Sequence, residues 1–179
     1  MKAINSPSKG RINFTLAVTL FVVLHLTIEM LTGGVRVHYP LMRDDLPALS
    51  NWWGLILLPS MAWVFYSAMP KDDSSAAWFG LNRTVLYRLG GAFLYGGAMG
   101  AAFELGLGEM PAYMMLALLV MGIAYPLYRA EIVLGLIMGM TYSFGSIIPT
   151  VAVGVVALSS LLLHTLARVI VRGLRPQTQ

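Results

Sequence analysis

Residues 132–171 read IVLGLIMGMTYSFGSIIPTVAVGVVALSSLLLHTLARVIV, a stretch in which Arg168 is the only residue with a formal charge. An α-helix crosses the ~30 Å hydrocarbon core of a bilayer in about 20 residues. As one helix, this stretch would be about 60 Å long at 1.5 Å per residue, twice that thickness. The stretch therefore predicts two membrane spans. Gly145 and Pro149 mark the expected break, because glycine tolerates a turn and proline removes a backbone hydrogen-bond donor.

The rest of the chain repeats this pattern of long apolar runs separated by short polar stretches. Hydrophobic residues make up 58% of the 179 residues and charged residues only 11%, against roughly 45–50% and about 25% in an ordinary soluble domain. The pattern predicts spans over residues 12–31, 52–69, 89–107, 112–127, 132–147 and 150–171. We therefore expect an all-α integral membrane protein, with a single membrane domain over residues 1–179 that forms a compact bundle of six transmembrane helices in the lipid bilayer.

The distribution of lysine and arginine predicts the orientation of this bundle. With the N-terminus inside, ten basic residues fall in cytoplasmic segments, and only Arg36 and Arg43 fall outside. Cytoplasmic loops of membrane proteins carry such an excess of positive charge. The count favours six spans with both termini in the cytoplasm, because merging the last two spans would move three arginines outside. The short loops make a bacterial inner membrane the expected location.

Glycines four residues apart occur in two of the predicted spans. The third span contains Gly96 and Gly100, and the fifth contains Gly135 and Gly139. Small residues at this spacing let the backbones of two membrane helices approach closely. We therefore expect the third and fifth spans to be central to the bundle.

Ionisable residues within the predicted spans are the first candidates for a functional site, because charges inside a bilayer are costly. His25 and Glu29 lie four residues apart on the first span and so share one helix face. Glu104 lies in the last turns of the third span. The rise per residue places Glu29 and Glu104 within roughly 10 Å of the outer boundary. Two helices therefore present carboxyl groups at a similar depth.

The external loop between the first two spans adds further charged and titratable side chains above these carboxyl groups. The predicted outer polar site consists of His25, Glu29, Arg36, His38, Arg43, Asp44, Asp45 and Glu104.

Several kinds of chemistry are open to such a set of side chains. Imidazoles and carboxylates can hold a divalent metal, for which His25, Glu29 and His38 are the candidate ligands, although no metal is assigned. The acids and arginines can instead bind a polar or zwitterionic headgroup, or His25 and Glu29 can relay protons. The simplest alternative is that the groups only pair with one another and fix the helix ends.

The expected function is the binding or transport of a small molecule or lipid through this outer-face polar site. A metal-assisted intramembrane hydrolase acting on a lipid or amphiphile is one alternative, and a structural or assembly subunit of a membrane complex is another.

No motif identifies a cofactor. The basic residues are scattered at the ends of apolar runs, so a nucleic acid is not an expected partner. A second membrane protein or a cytoplasmic protein remains open as a partner. The chain has no cysteine, which excludes disulfides and thiol nucleophiles.

Overall fold

The computed structural model describes residues 8–39, 45, 48–72 and 79–174, with side chains through residue 169. In this part of the chain the helices are α1 (Lys9–Leu31), α2 (Gly54–Tyr66), α3 (Arg83–Glu104), α4 (Met110–Ala124), α5 (Ala130–Phe144) and α6 (Ile147–Leu174). An all-helical architecture with six helices is thus confirmed. The connection from α1 to α2 also contains two short strands, β1 (Val37–His38) and β2 (Leu49–Ser50), followed by a 3₁₀ turn (Asn51–Trp53).

Helix α5 lies at the centre of the fold and packs closely against α3. Every residue from Glu131 through Thr141 is buried. A Cβ atom on Gly96 would lie 2.5 Å from the carbonyl oxygen of Leu136, and one on Gly139 would lie 2.7 Å from the amide nitrogen of Gly97. Because real Cβ atoms do not approach other atoms so closely, only glycine fits at these positions. The structure thus pairs α3 with α5 through these glycines, and the predicted central position is confirmed for α5.

Helices α1 and α2 run antiparallel, and a side chain at the beginning of α1 bonds to the end of α2. The guanidinium of Arg11 donates two hydrogen bonds to the carbonyl oxygen of Trp63, at 2.9 and 2.7 Å, and lies 4.2 Å from the centre of the Trp63 ring. The carbonyl groups in the last turn of a helix have no partner within it, so Arg11 caps α2. The loop between the two helices therefore lies at the opposite end of the molecule.

A buried serine joins the end of α4 to α6. Ser160 on α6 donates to the carbonyl oxygen of Gly122 at 2.9 Å and accepts from the amide of Leu127 at 3.2 Å.

The alternating direction of the helices creates two ends, which we call the basic end and the loop end. The loop end contains the α1–α2 connection, the α3–α4 turn and the α5–α6 junction. The basic residues of the basic end whose side chains the structure describes are Lys9, Arg11, Lys71, Arg83, Arg88, Arg129 and Arg168.

The third helix differs from its predicted bounds at both ends. It begins at Arg83 rather than residue 89, because the side chain of Asn82 accepts a hydrogen bond from the amide of Thr84 at 2.9 Å and caps the helix. It ends at Glu104 rather than residue 107, because Gly106 adopts a φ of 65°. The amides of Gly106 and Leu107 then bond back to the carbonyls of Phe103 and Ala102, each at 3.0 Å, which is the Schellman end of a helix.

The break between α5 and α6 lies at Gly145, the first of the two predicted positions. Gly145 has a φ of 70° and ends α5. Pro149 is the third residue of α6. In the first turn of a helix an amide has no acceptor within the helix, so a proline is tolerated there. Because Pro149 has no amide proton to donate to the carbonyl of Gly145, four residues earlier, it also opposes a continuous helix through the break, as predicted.

Two helices of the described chain are long and apolar enough to cross a membrane, namely α1 and residues Ile147–Val169 of α6. Helices α4 and α5 are apolar but have 15 residues each, a length of about 22 Å. Helix α2 has 13 residues. The prediction of six transmembrane spans is therefore not confirmed by helix length and remains a prediction.

Candidate functional site

The carboxyl group of Glu29 lies inside the loop end and is only 2% exposed. The side-chain amide of Asn51 donates to its Oε1 atom at 2.6 Å, and the backbone amide of Arg36 donates to its Oε2 atom at 3.3 Å. His25, one turn earlier on α1, has its Nε2 atom 3.4 Å from Oε1. Glu29 therefore ties the connection between α1 and α2 to the end of α1.

Arg36 links Glu29 to the second predicted carboxyl group. Its backbone binds Glu29, while its guanidinium donates to Oε1 of Glu104 at 2.7 Å. This hydrogen bond raises the pKa of Arg36 above its usual value. The Arg36 and Glu104 side chains are 41% and 36% exposed, so their ion pair contributes only about 0–1 kcal/mol. The two acids thus meet through Arg36.

The short strands hold His38 against the α5–α6 junction. Strand β1 pairs antiparallel with β2, with His38 opposite Leu49. A Cβ atom on Gly145 would lie 2.9 Å from Cδ2 of His38, so the glycine provides both the positive φ of the junction and the space for the imidazole. Burial lowers the pKa of His38 below its usual value. Burial therefore favours the neutral form of the imidazole.

Three buried polar atoms in this region lack a hydrogen-bond partner among the residues that the structure describes. They are Nε2 of His38, Oγ of Ser146 and Nε2 of His25, which lies 3.4 Å from Oε1 of Glu29 but not in the geometry of a hydrogen bond. Buried polar groups in native proteins are nearly always paired, and leaving one unpaired costs about 1–3 kcal/mol. These side chains therefore have hydrogen-bonding capacity that the described fold does not use. We call the group formed by His25, Glu29, His38, Asn51 and Ser146 the Glu29 site.

The Glu29 site is closed to molecules the size of water. His38, Asn51, Gly145 and Ser146 line a narrow cleft between the strands and the α5–α6 junction, and the cleft has no room for a water-sized sphere. A ligand can enter this cleft only if the elements that line it move apart. The two strands on one side of the cleft have two residues each, so few backbone hydrogen bonds hold them together.

Not every predicted site residue belongs to this arrangement. Arg43 and Asp44 lie outside the described residues, and Asp45 is exposed. Within the described ranges, no three His, Cys, Asp or Glu side chains are grouped so that they could hold a metal ion. The metal candidates His25, Glu29 and His38 accordingly do not form such a group. Each carboxyl oxygen of Glu29 accepts one hydrogen bond, from Asn51 or from the Arg36 amide, and keeps a second lone pair.

The structure adds three residues that the sequence analysis does not include. Asn51 is 2% exposed and makes the shortest of the hydrogen bonds to Glu29. Tyr142 on α5 lies against the predicted residues, with its ring 5.8 Å from that of His25 and 5.1 Å from the guanidinium of Arg36. Ser146 occupies the α5–α6 junction. Asn51 could have been noticed in the sequence as a polar residue directly before an apolar run. Nothing in the sequence indicated that its partner is Glu29.

The structure therefore joins one helix end, one loop and one helix junction around a buried acid. The chain matches no protein-family model, no curated protein sequence and no solved structure.

Proposed function

We propose that this chain is a multi-pass membrane protein that binds or transports a small polar molecule or lipid headgroup at the Glu29 site. In this proposal all six helices lie in the membrane, both termini are cytoplasmic, and the loop end faces outward. The observation that carries the proposal is the buried carboxyl group of Glu29 beside His25 and Asn51. Asn51 also lines a cleft with the imidazole of His38 and the hydroxyl of Ser146, whose hydrogen-bonding capacity is unused.

Exposed apolar side chains support the membrane location. On α1, Leu16, Leu20 and Leu24 are 59%, 58% and 55% exposed, and on α6, Val151 and Leu162 are 64% and 70% exposed. In water each of these surfaces would cost free energy in proportion to its area, whereas lipid tails remove that cost. The apolar segments of α1 and α6 are only 33% and 22% buried. The core helix of a soluble protein would be mostly buried.

The charges at the two ends support the orientation. Among the residues whose side chains the structure describes, seven lysines and arginines lie at the basic end and Arg36 lies at the loop end. The positive-inside rule then assigns the basic end to the cytoplasm. The short length of α5 is compatible with a span, because this helix is buried in protein along its length and has no lipid boundary of its own to match.

The chemistry of the Glu29 site favours a ligand that donates hydrogen bonds. Glu29 and Ser146 provide oxygen acceptors, and the neutral imidazole of His38 provides one nitrogen that can accept. An amine or hydroxyl group of a small molecule or headgroup would satisfy these atoms. The exposed Arg36–Glu104 pair lies at the rim and could bind a second, charged group of the same ligand.

The functional role of Ser146 can be separated from a structural role by two matched substitutions. We expect Ser146→Ala to leave the stability of the ligand-free protein unchanged or slightly higher, because its hydroxyl has no partner in the described structure. Ser160→Ala should lower stability by roughly 1–3 kcal/mol, because the equally buried Ser160 hydroxyl bonds to Gly122 and Leu127. Thermal unfolding of both variants in one detergent measures the difference.

The same variants then test binding. A panel of small amines and headgroup alcohols, beginning with ethanolamine, choline and glycerol, is added to the wild-type protein and to Ser146→Ala. We expect at least one member to raise the unfolding temperature of the wild type and to have a smaller effect on Ser146→Ala. If Ser146→Ala destabilises the protein as much as Ser160→Ala does, its hydroxyl has a structural role and the proposal fails.

A further inference from the structure

A second feature, far from the Glu29 site, is an open groove between α3, α4 and α5 near the basic end. Its volume is about 210 Å³, and its lining is apolar except for Arg88 and the hydroxyl groups of Tyr95 and Tyr125. Three features create the groove. Gly91 on α3 has no side chain to fill the groove. Ser160 holds the end of α4 against α6. At the end of the groove away from Arg88, the hydroxyl of Tyr95 donates to the carbonyl of Met114 at 2.8 Å.

Arg88 lines the groove, and Arg129, which shares the carboxyl partner of Arg88, gives the mouth beside Arg88 a net positive charge. Arg88 and Arg129 each direct a guanidinium nitrogen at the same oxygen of Glu131, at 3.5 and 3.7 Å. The carboxyl group of Glu131 is 3% exposed, whereas the arginine side chains are 30% and 38% exposed. Each guanidinium has five N–H donors, so one shared carboxyl group leaves most of them available to another anion.

We propose that this groove binds an anionic phospholipid of the cytoplasmic leaflet, with one acyl chain in the groove and the phosphate on Arg88 and Arg129. The inference rests on the membrane location and orientation proposed above and is independent of the Glu29 site. Arg88 lies near the beginning of α3, where the basic end would meet the headgroup layer. From Arg88 to Tyr95 the groove extends about 10 Å toward the middle of the molecule, the direction in which an acyl chain runs.

Charge complementarity selects this occupant. The cytoplasmic leaflet is negatively charged, and basic side chains at its surface bind its anionic headgroups. A guanidinium binds phosphate oxygens through two parallel hydrogen bonds. The apolar lining suits an acyl chain but would not hold a soluble anion. The groove and its mouth together therefore match an amphiphile with a phosphate at one end.

The test uses the full chain in a maltoside detergent with short-chain phosphatidylglycerol or phosphatidylcholine of the same chain length. We expect phosphatidylglycerol at tenfold excess over its Kd to raise the unfolding temperature of the wild type by about 3–6 °C, and phosphatidylcholine to raise it less. Gly91→Leu fills the groove and should abolish the shift. Gly90→Leu is the matched control, because a Cβ atom there is equally free of contacts but Gly90 does not line the groove.

A second variant separates the headgroup from the acyl chain. Arg88→Gln should reduce the effect of phosphatidylglycerol to that of phosphatidylcholine. The inference is overturned if Gly91→Leu and Gly90→Leu respond alike, or if the two lipids stabilise the wild type equally. A concentration-dependent dimer that Gly91→Leu dissociates would assign the groove to a second copy of the chain and would also overturn it. Ser146→Ala should keep the full lipid shift, so failure at the Glu29 site is distinguished from failure here.

Discussion

Glu29→Ala is expected to lower the free energy of unfolding by about 3–5 kcal/mol. This loss is larger than the one expected for Glu104, the other acid that contacts Arg36. The change leaves the amides of Asn51 and Arg36 without their acceptor, at about 1–3 kcal/mol for an unpaired buried group, and adds a cavity where the side chain was buried. Chemical or thermal unfolding in a fixed detergent measures the loss.

Glu104→Ala is the matched control, because the same truncation removes an exposed carboxyl group from the same arginine. We expect it to cost less than about 1 kcal/mol. Because Arg36 contacts both acids, the double variant should deviate from additivity by about 0.5 kcal/mol or more. Equal losses for the two single variants would show that Glu29 is not the buried centre of the site.

Gly139→Ala is expected to destabilise the fold by about 3 kcal/mol, the upper end of the usual range for overpacking a core. A Cβ atom at this position would collide with the carbonyl of Phe93 and lie 2.7 Å from the amide of Gly97. Backbone atoms cannot rotate away as a side chain does, so α3 and α5 would have to separate. The unfolding temperature of the purified variant measures the effect.

Gly90→Ala on α3 provides the comparison for this prediction. Its Cβ atom would contact nothing within 4 Å, and alanine favours a helix interior over glycine by roughly 1 kcal/mol. We therefore expect Gly90→Ala to be neutral or stabilising. A similar loss of stability in both variants would mean that the close contact of α3 with α5 does not hold the bundle together.

The number of helices was predictable from the sequence because apolar runs and polar breaks are local features. The helix ends were less predictable, because they depend on individual side chains and turns. Asn82 caps α3 six residues earlier than the apolar run begins, and Gly106 ends it before the run does. Pro149 shows the same limit, since its effect depends on its position within the first turn of α6.

The candidate site was predictable only where residues on one helix or in one loop had to be neighbours. The four-residue spacing of His25 and Glu29 indicated a shared face, and the structure has them 3.4 Å apart. The contact of Asn51 with Glu29 joins positions 22 residues apart, and the two-residue strands that help to position it are too short to produce a periodic pattern. Tertiary packing against Gly145 determines this part of the site.

The most direct test of a membrane protein with an outward-facing Glu29 site is thiol labelling in intact cells. The chain has no cysteine, so Thr84→Cys, Glu109→Cys and Gln177→Cys each report one position without background. A membrane-impermeant maleimide should label Glu109→Cys in intact cells, and should label Thr84→Cys and Gln177→Cys only after the membrane is permeabilised. Labelling of Gln177→Cys in intact cells would require an odd number of membrane crossings. Labelling of Glu109→Cys only after permeabilisation would place the loop end inside the cell. Either result would contradict the account.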